Sequence, residues 1–171
     1  MPKNTLVKSS TICAQSIIFG IICASVKLAS IIISDSPYEM IHKLDKNGII
    51  PSMWIWHLTG CLMMFISGMA AGTVIKELAS GNASAKNERE ACIGGLYFIT
   101  SFFLTVIHYP LFFACERILI SFIVSVAAVI CSAICAMMWS KISAKACLMM
   151  CGNSFFLLYV TFVNLNILVI N

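Results

Sequence analysis

Charge is what this sequence most lacks. Only 11% of its 171 residues are Asp, Glu, Lys or Arg, against 60% of hydrophobic types. A soluble domain carries about 25% charged residues, so a water-soluble globule is excluded, and a disordered tail with it. The eleven Lys and Arg residues are scattered along the chain. No basic run is left to track a phosphate backbone, which argues against nucleic acid as a partner. The apolar stretches contain no Asp or Glu, the groups that proton-coupled transporters use at membrane depth. No nucleophile–His–acid triad can be assembled, because the acids all lie between those stretches. Gly94–Gly95 sits inside an apolar run and is no phosphate-cradling loop. No catalytic residue and no cofactor is therefore expected.

The nine cysteines are an odd number, and each lies in or at the edge of an apolar stretch. A secreted disulfide framework places them in loops instead. Cys131/Cys135 and Cys147/Cys151 are spaced i,i+4 with no His close in sequence. They read as small hydrophobes at helix contacts rather than as metal ligands.

What is present is length of apolar chain. Five stretches, 12–34, 51–75, 91–115, 118–139 and 146–170, are long enough to cross ~30 Å of hydrocarbon. Only the first contains a formal charge, Lys27. Backbone groups in lipid must be satisfied within their own segment, so the runs are helices. Short links make neighbours antiparallel. The expectation is an all-α integral membrane protein, a five-transmembrane-helix bundle forming a single domain over residues 1–171. Lys3 and Lys8 followed by an apolar run to Ala24 have the outline of a cleaved leader. The apolar character continues past Lys27 to Ile33, which favours a retained first helix. Seven basic residues fall on the amino-terminal side of the bundle and three on the other, placing the amino end on the positive side.

Polar groups inside such helices are informative, because lipid cannot satisfy them. In the third span Tyr97, Ser101, Thr105 and His108 fall at offsets 0, 4, 8 and 11, on one helical face. The stripe is expected to point into the bundle, either as interhelical glue or as the wall of a ligand pocket. Pro110 interrupts the ladder near the helix end, and the pair Phe112–Phe113 follows. In the second span Trp54, Trp56 and His57 cluster after Pro51. Trp at a span end is commonly an interfacial anchor, but His57 lies deeper, beside Gly60. Gly68 and Gly72 form a small-xxx-small pattern that marks close helix packing. Lys27 lies near enough to the end of its span to snorkel; the alternative is a polar anchor at a pocket mouth. Asn164 and Asn166 need partners from other helices, and Asn153 is expected to meet headgroups.

These residues carry a resemblance to the TspO/translocator protein family (tryptophan-rich sensory proteins, peripheral-type benzodiazepine receptors); what the chain resembles is a divergent member of it. Val74-Ile75-Lys76-Glu77-Leu78 looks like the end of the family's second helix, and Gly68 and Trp54 fall on typical family residues upstream. Lys46 and Pro51 fall in its Lys-Pro-x-Trp-x-Pro-Pro region. The third span, with Gly95-Leu96-Tyr97, Thr105 and His108-Tyr109-Pro110-Leu111-Phe112-Phe113, resembles the family's Tyr, Asn-x-x-Trp and Pro-x-Phe-Phe pattern. Leu165-Asn166 resembles the Leu-Asn of its last helix, and Lys27 aligns with a basic position of its first. The chain departs from the pattern in having three Trp, with His108 at an expected Trp, Thr105 at an expected Asn and Leu158 at a Trp of the fifth helix. The cholesterol-recognition segment of animal members needs a Tyr and a basic residue after Leu-Asn. Here the chain reads Ile167-Leu168-Val169-Ile170-Asn171.

The resemblance implies a non-enzymatic bundle that takes a sterol, a porphyrin or other tetrapyrrole, or a similar aromatic molecule. Its pocket lies between the helices, capped by residues 35–50. The expected ligand-binding residues are Lys27, Trp54, Trp56, His57, Tyr97, Thr105, His108, Pro110, Phe112, Phe113, Leu165 and Asn166. Expected partners are membrane lipid, the lipophilic ligand and a second copy, through Gly68/Gly72 or the Ala/Ser-rich fourth helix. The implied membrane is the outer mitochondrial one in a eukaryote. The competing expectation is a structural or assembly protein with no small ligand.

Overall fold

The computed structural model describes residues 3–33, 52–80, 84–113, 115 and 117–170, the side chains of 3–13, 53 and 54 excepted. These residues form five helices and no strand: α1 (Lys3–Ile33), α2 (Met53–Ala79), α3 (Ala85–Phe113), α4 (Ile118–Ser140) and α5 (Ala144–Ile170). All five contain segments long and apolar enough to cross a membrane, that of α1 beginning at Ala14 and that of α2 at Ile55. The chain is an integral multi-pass membrane protein.

Helix α3 starts six residues before the expected span, and Ser84 is the reason. Its Oγ accepts from the Asn87 backbone N–H at 3.3 Å, and its carbonyl accepts from Glu88 N–H at 3.1 Å. An N-cap of this kind satisfies donors that the first turn leaves unpaired. The charged segment Lys86–Glu90 therefore continues the helix out of the apolar layer. Glu90 then meets Lys141, just past α4, at 2.8 Å. The pair is partly exposed and contributes about 1 kcal/mol at most.

The contacts fix an antiparallel order. Gly20 faces Phe65, Ser16 faces Gly72 and Lys27 faces Gly60, so α1 runs against α2. Ser101 pairs with Ala128, and Glu90 with Lys141, across α3 and α4. Asn153 and Ser154 meet Ser132, and Asn164 meets Ser125, across α4 and α5. Trp56 packs on Phe156 and Tyr159, bringing α5 back to α2. Hydrogen bonds from Lys27 and Ser30 to α3 close the ring between α1 and α3.

The distribution of side chains is inverted relative to a soluble protein. Large apolar residues such as Ile33, Leu148, Phe155 and Val169 point outward, where acyl chains replace water. Inside are small and polar residues together with an aromatic set, Trp56, Tyr109, Phe112, Phe113 and Trp139. Along α4 the buried residues are Ser121, Ser125, Ala128, Ser132, Cys135, Ala136 and Trp139. This stripe admits α3 and α5 at close range, so it faces the chain's own helices rather than a second copy. Gly68 and Gly72 are engaged the same way. A Cβ on Gly68 would meet the Phe19 carbonyl and the Gly20 backbone, and one on Gly72 would meet Ser16 Cα. Asn153 is not at the headgroups: it is buried, and its Nδ2 donates to Ser132 Oγ at 3.2 Å.

These close approaches make the glycines distinguishable by substitution. A Cβ on Gly95 or Gly152 meets nothing within 4 Å. Ala there is expected to be neutral or to stabilise by up to ~1 kcal/mol, the difference in helix propensity. Gly68→Ala and Gly72→Ala force two backbones apart and are expected to cost about 1–3 kcal/mol. Thermal melts of the four variants in detergent check both halves.

Candidate functional site

Helix α3 builds the centre of the site. Ser101, Thr105 and His108 of the expected stripe are all buried. Tyr97, one turn earlier, is half-buried and packs on the cluster around Trp139 and Met150. Two of the stripe's hydroxyls are tied down: Thr105 Oγ1 donates to Ser101 O at 2.8 Å, and Ser101 Oγ donates to Ala128 O at 3.1 Å. His108 is held from the far side by α5. Asn164 Nδ2 donates to His108 Nε2 at 2.7 Å and to Ser125 Oγ at 3.3 Å. Nε2 is thus an acceptor, which leaves the ring proton on Nδ1. The ring stacks on Phe112, with centroids 5.9 Å apart.

Pro110 has a consequence for α1. Lacking an N–H, it leaves the Val106 carbonyl without its donor from the next turn. Ser30 Oγ supplies one at 2.8 Å. One turn earlier on α1, Lys27 Nζ donates to the Thr105 carbonyl at 3.3 Å. Lys27 therefore does not snorkel: it is 4% exposed, with its ammonium 4.4 Å from the centroid of the Tyr109 ring. A desolvated cation over an aromatic face gains ~2 kcal/mol. Tyr109 turns its hydroxyl to α2, where it hydrogen-bonds the ring of His57. Phe113 packs on Tyr109 with centroids 4.5 Å apart and closes this end of the core.

A cavity remains where these groups meet. Its lining comes from all five helices: Lys27; Trp56 and Gly60; Thr105, His108 and Tyr109; Ser125 and Ala128; Phe156, Leu157 and Val160. The free volume is about 20 Å3, room for roughly one water. Two larger grooves, of about 380 Å3 and 270 Å3, lie elsewhere. One runs between α4 and α5, the other across α2 and α3. Both are open and almost wholly apolar, as hollows filled by acyl chains are, and neither contains the polar groups of the central cavity.

Of the expected ligand residues, Lys27, Trp56, Thr105 and His108 line the cavity. His57, Phe112 and Phe113 stand behind its wall. Trp56 is buried rather than an interfacial anchor. Pro110 is only partly buried and acts through the carbonyl it frees. Leu165 is 42% exposed, and Asn166 donates to the Phe162 carbonyl of its own helix at 2.9 Å. Neither is brought to the cavity. The side chain of Trp54, and residues 35–50 with Lys46, lie outside the described residues. Tyr109, Ser125, Phe156 and Val160 belong to the lining without having been singled out as ligand residues. The spacing Phe156, Val160, Asn164 on one face of α5 was the available signal.

A five-span membrane protein whose interior presents one cation, an imidazole, a phenol and an indole around a small cavity is the class that the fold and site define. The model of the TspO/MBR family matches residues 16–170, nearly the whole chain, and the chain belongs to that family. No curated protein and no solved structure matches it.

The Pro110–Ser30 relation is testable by a double-mutant cycle. Pro110→Ala restores an N–H for Val106 O, so Ser30→Ala should cost less in that background than in the wild type. The expected coupling is about 0.6 kcal/mol, the average for hydrogen bonds between membrane helices, read from unfolding in mixed micelles. Strictly additive losses would contradict it.

Proposed function

We propose that this TspO/MBR-family protein binds a lipophilic molecule in the cavity between its helices and takes part in handling lipid, sterol or tetrapyrrole, without catalysing a reaction. The ligand class is a sterol, a porphyrin or other tetrapyrrole, or a similar aromatic molecule. The observation that carries this reading is the convergence of all five helices on one cavity with polar and aromatic walls. Apolar surface would supply most of the affinity, at ~25 cal/mol per Å2 buried. Trp56, Tyr109 and Phe156 would pack on the ligand, with Thr105, His108 and Lys27 orienting it. Because ligand pockets hold about 300–1,000 Å3, binding would part these side chains and select a more open state of the bundle. The same reading includes a second copy as partner and, in a eukaryotic cell, the outer mitochondrial membrane.

The second reading is a structural or assembly protein, its polar interior serving only to hold helices together. The observation that favours it is the small free volume, about 20 Å3.

Titration of the purified protein in detergent with protoporphyrin and with cholesterol separates the two. Saturable binding of at least one is expected. A Cβ on Gly60 would lie 3.6 Å from Lys27 Cε, at the cavity wall. Gly60→Leu is therefore expected to weaken binding at least tenfold, and Gly152→Leu, in open surroundings, to leave it unchanged. Absence of saturation, together with crosslinking that recovers one fixed protein partner, would replace the first reading with the second.

A further inference from the structure

Lys27 carries information about the ligand beyond its being lipophilic. The ammonium has three N–H donors, and its contacts are one carbonyl, Thr105 O, and the face of Tyr109. It lines the cavity and is 4% exposed. Neither contact neutralises its charge. The described carboxylates, Glu77, Glu88 and Glu90, sit at the end of α2 and the start of α3, the opposite end of the bundle from Lys27. Among the described residues the one salt bridge is Lys141–Glu90. Among the described residues Lys27 therefore has no counter-charge; a buried cation in that state is unfavourable in a low-dielectric interior, and intramembrane cations that persist generally face a pathway or a ligand.

The rest of the lining offers an anion no second charge. Tyr109 spends its hydroxyl on His57, and Asn164 spends its amide on His108 and Ser125. Thr105 Oγ1 is engaged with Ser101 O. Ser125 Oγ donates to the Phe122 carbonyl. His108 Nδ1–H and the Trp56 indole N–H are neutral donors, so the charged donors at this wall are those of Lys27, among Trp56, Phe156, Leu157 and Val160. A group that fits is one compact anion at the edge of a large apolar body.

We infer that the ligand is a lipophilic carboxylate, its anion paired with Lys27 Nζ and its body seated among the aromatic and aliphatic side chains of α2, α3 and α5. This deepens the ligand-binding reading and rests on it. A fatty acid and a porphyrin with free carboxylate side chains share this chemistry.

The test compares each acid with its own methyl ester on the intact protein in an uncharged detergent. The pairs are palmitic acid against methyl palmitate, and protoporphyrin IX against its dimethyl ester. In one pair at least, the acid is expected to bind tenfold or more tightly than the ester, and the pair that shows it identifies the source. Lys27→Met should abolish the difference between acid and ester. Lys27→Arg should retain the preference. Lys27→Gln, which keeps a donor without the charge, replaces the Met variant if that one does not fold. Equal affinities of acid and ester in both pairs, or a preference that survives loss of the charge, would overturn the carboxylate inference and leave the binding reading standing. Failure of all four compounds to bind while cholesterol binds would overturn the carboxylate inference alone; failure of cholesterol as well would overturn both.

Discussion

Hydrocarbon offers no hydrogen-bond partner, so polar side chains within a span find theirs inside the protein; Ser121 Oγ and Trp139 Nε1 are the buried exceptions among the described residues. The solution adopted here is partly local and partly between helices. Ser67, Thr73, Thr105, Ser154 and Thr161 donate to carbonyls one turn back on their own helices. Ser30, Ser101, Asn153, Asn164 and Lys27 reach across to neighbours instead. The second group decides the order of the bundle, because each member specifies which helix stands beside its own. Small residues make those reaches short: Gly68 and Gly72 let α1 approach α2, and the buried stripe of α4 lets α3 and α5 approach together.

The same constraint concentrates chemistry in one half of the membrane. The half containing the start of α2 and the ends of α1, α3 and α5 holds Lys27, His57, His108, Tyr109 and Asn164. In the other half, Ala70, Ala71, Val74, Ala91, Ala146 and Met150 make an apolar core around Trp139. The cavity beside Lys27 puts apolar surface and polar groups side by side. Pro110 contributes to that asymmetry. By giving up a backbone N–H it presents a carbonyl to α1, and α1 arrives with Ser30 and Lys27 on adjacent turns.

Much of this was legible in the residues, for physical reasons that can be named. Span lengths are set by hydrocarbon thickness, so the five apolar runs showed the helices to within a few residues at most ends. The start of α3 escaped because Ser84 caps a charged turn that hydropathy alone reads as a link. The inward face of α3 was visible as a 3.6-residue period of polar groups. Directions set by one rotatable side chain were not visible. Lys27 had a stem long enough for either the headgroups or the core, and only Tyr109 and the Thr105 carbonyl, distant in sequence, decide between them. Asn153 looked interfacial by its position, until Ser132 supplied a partner in depth. Leu165 and Asn166 were read from resemblance rather than from helical phase. That phase puts Asn164, two residues earlier, on the buried side.

The account depends on which side chains meet lipid and which meet one another. Relaxation enhancement by nitroxide-labelled lipid, measured by nuclear magnetic resonance on the protein in nanodiscs, reads this directly. The predicted result is strong broadening of signals from Leu148, Phe155 and Val169, with those of His108, Tyr109 and Asn164 protected. Broadening of His108 and Tyr109 as strong as that of Phe155 would turn α3 outward, and the cavity and everything argued from it would be lost.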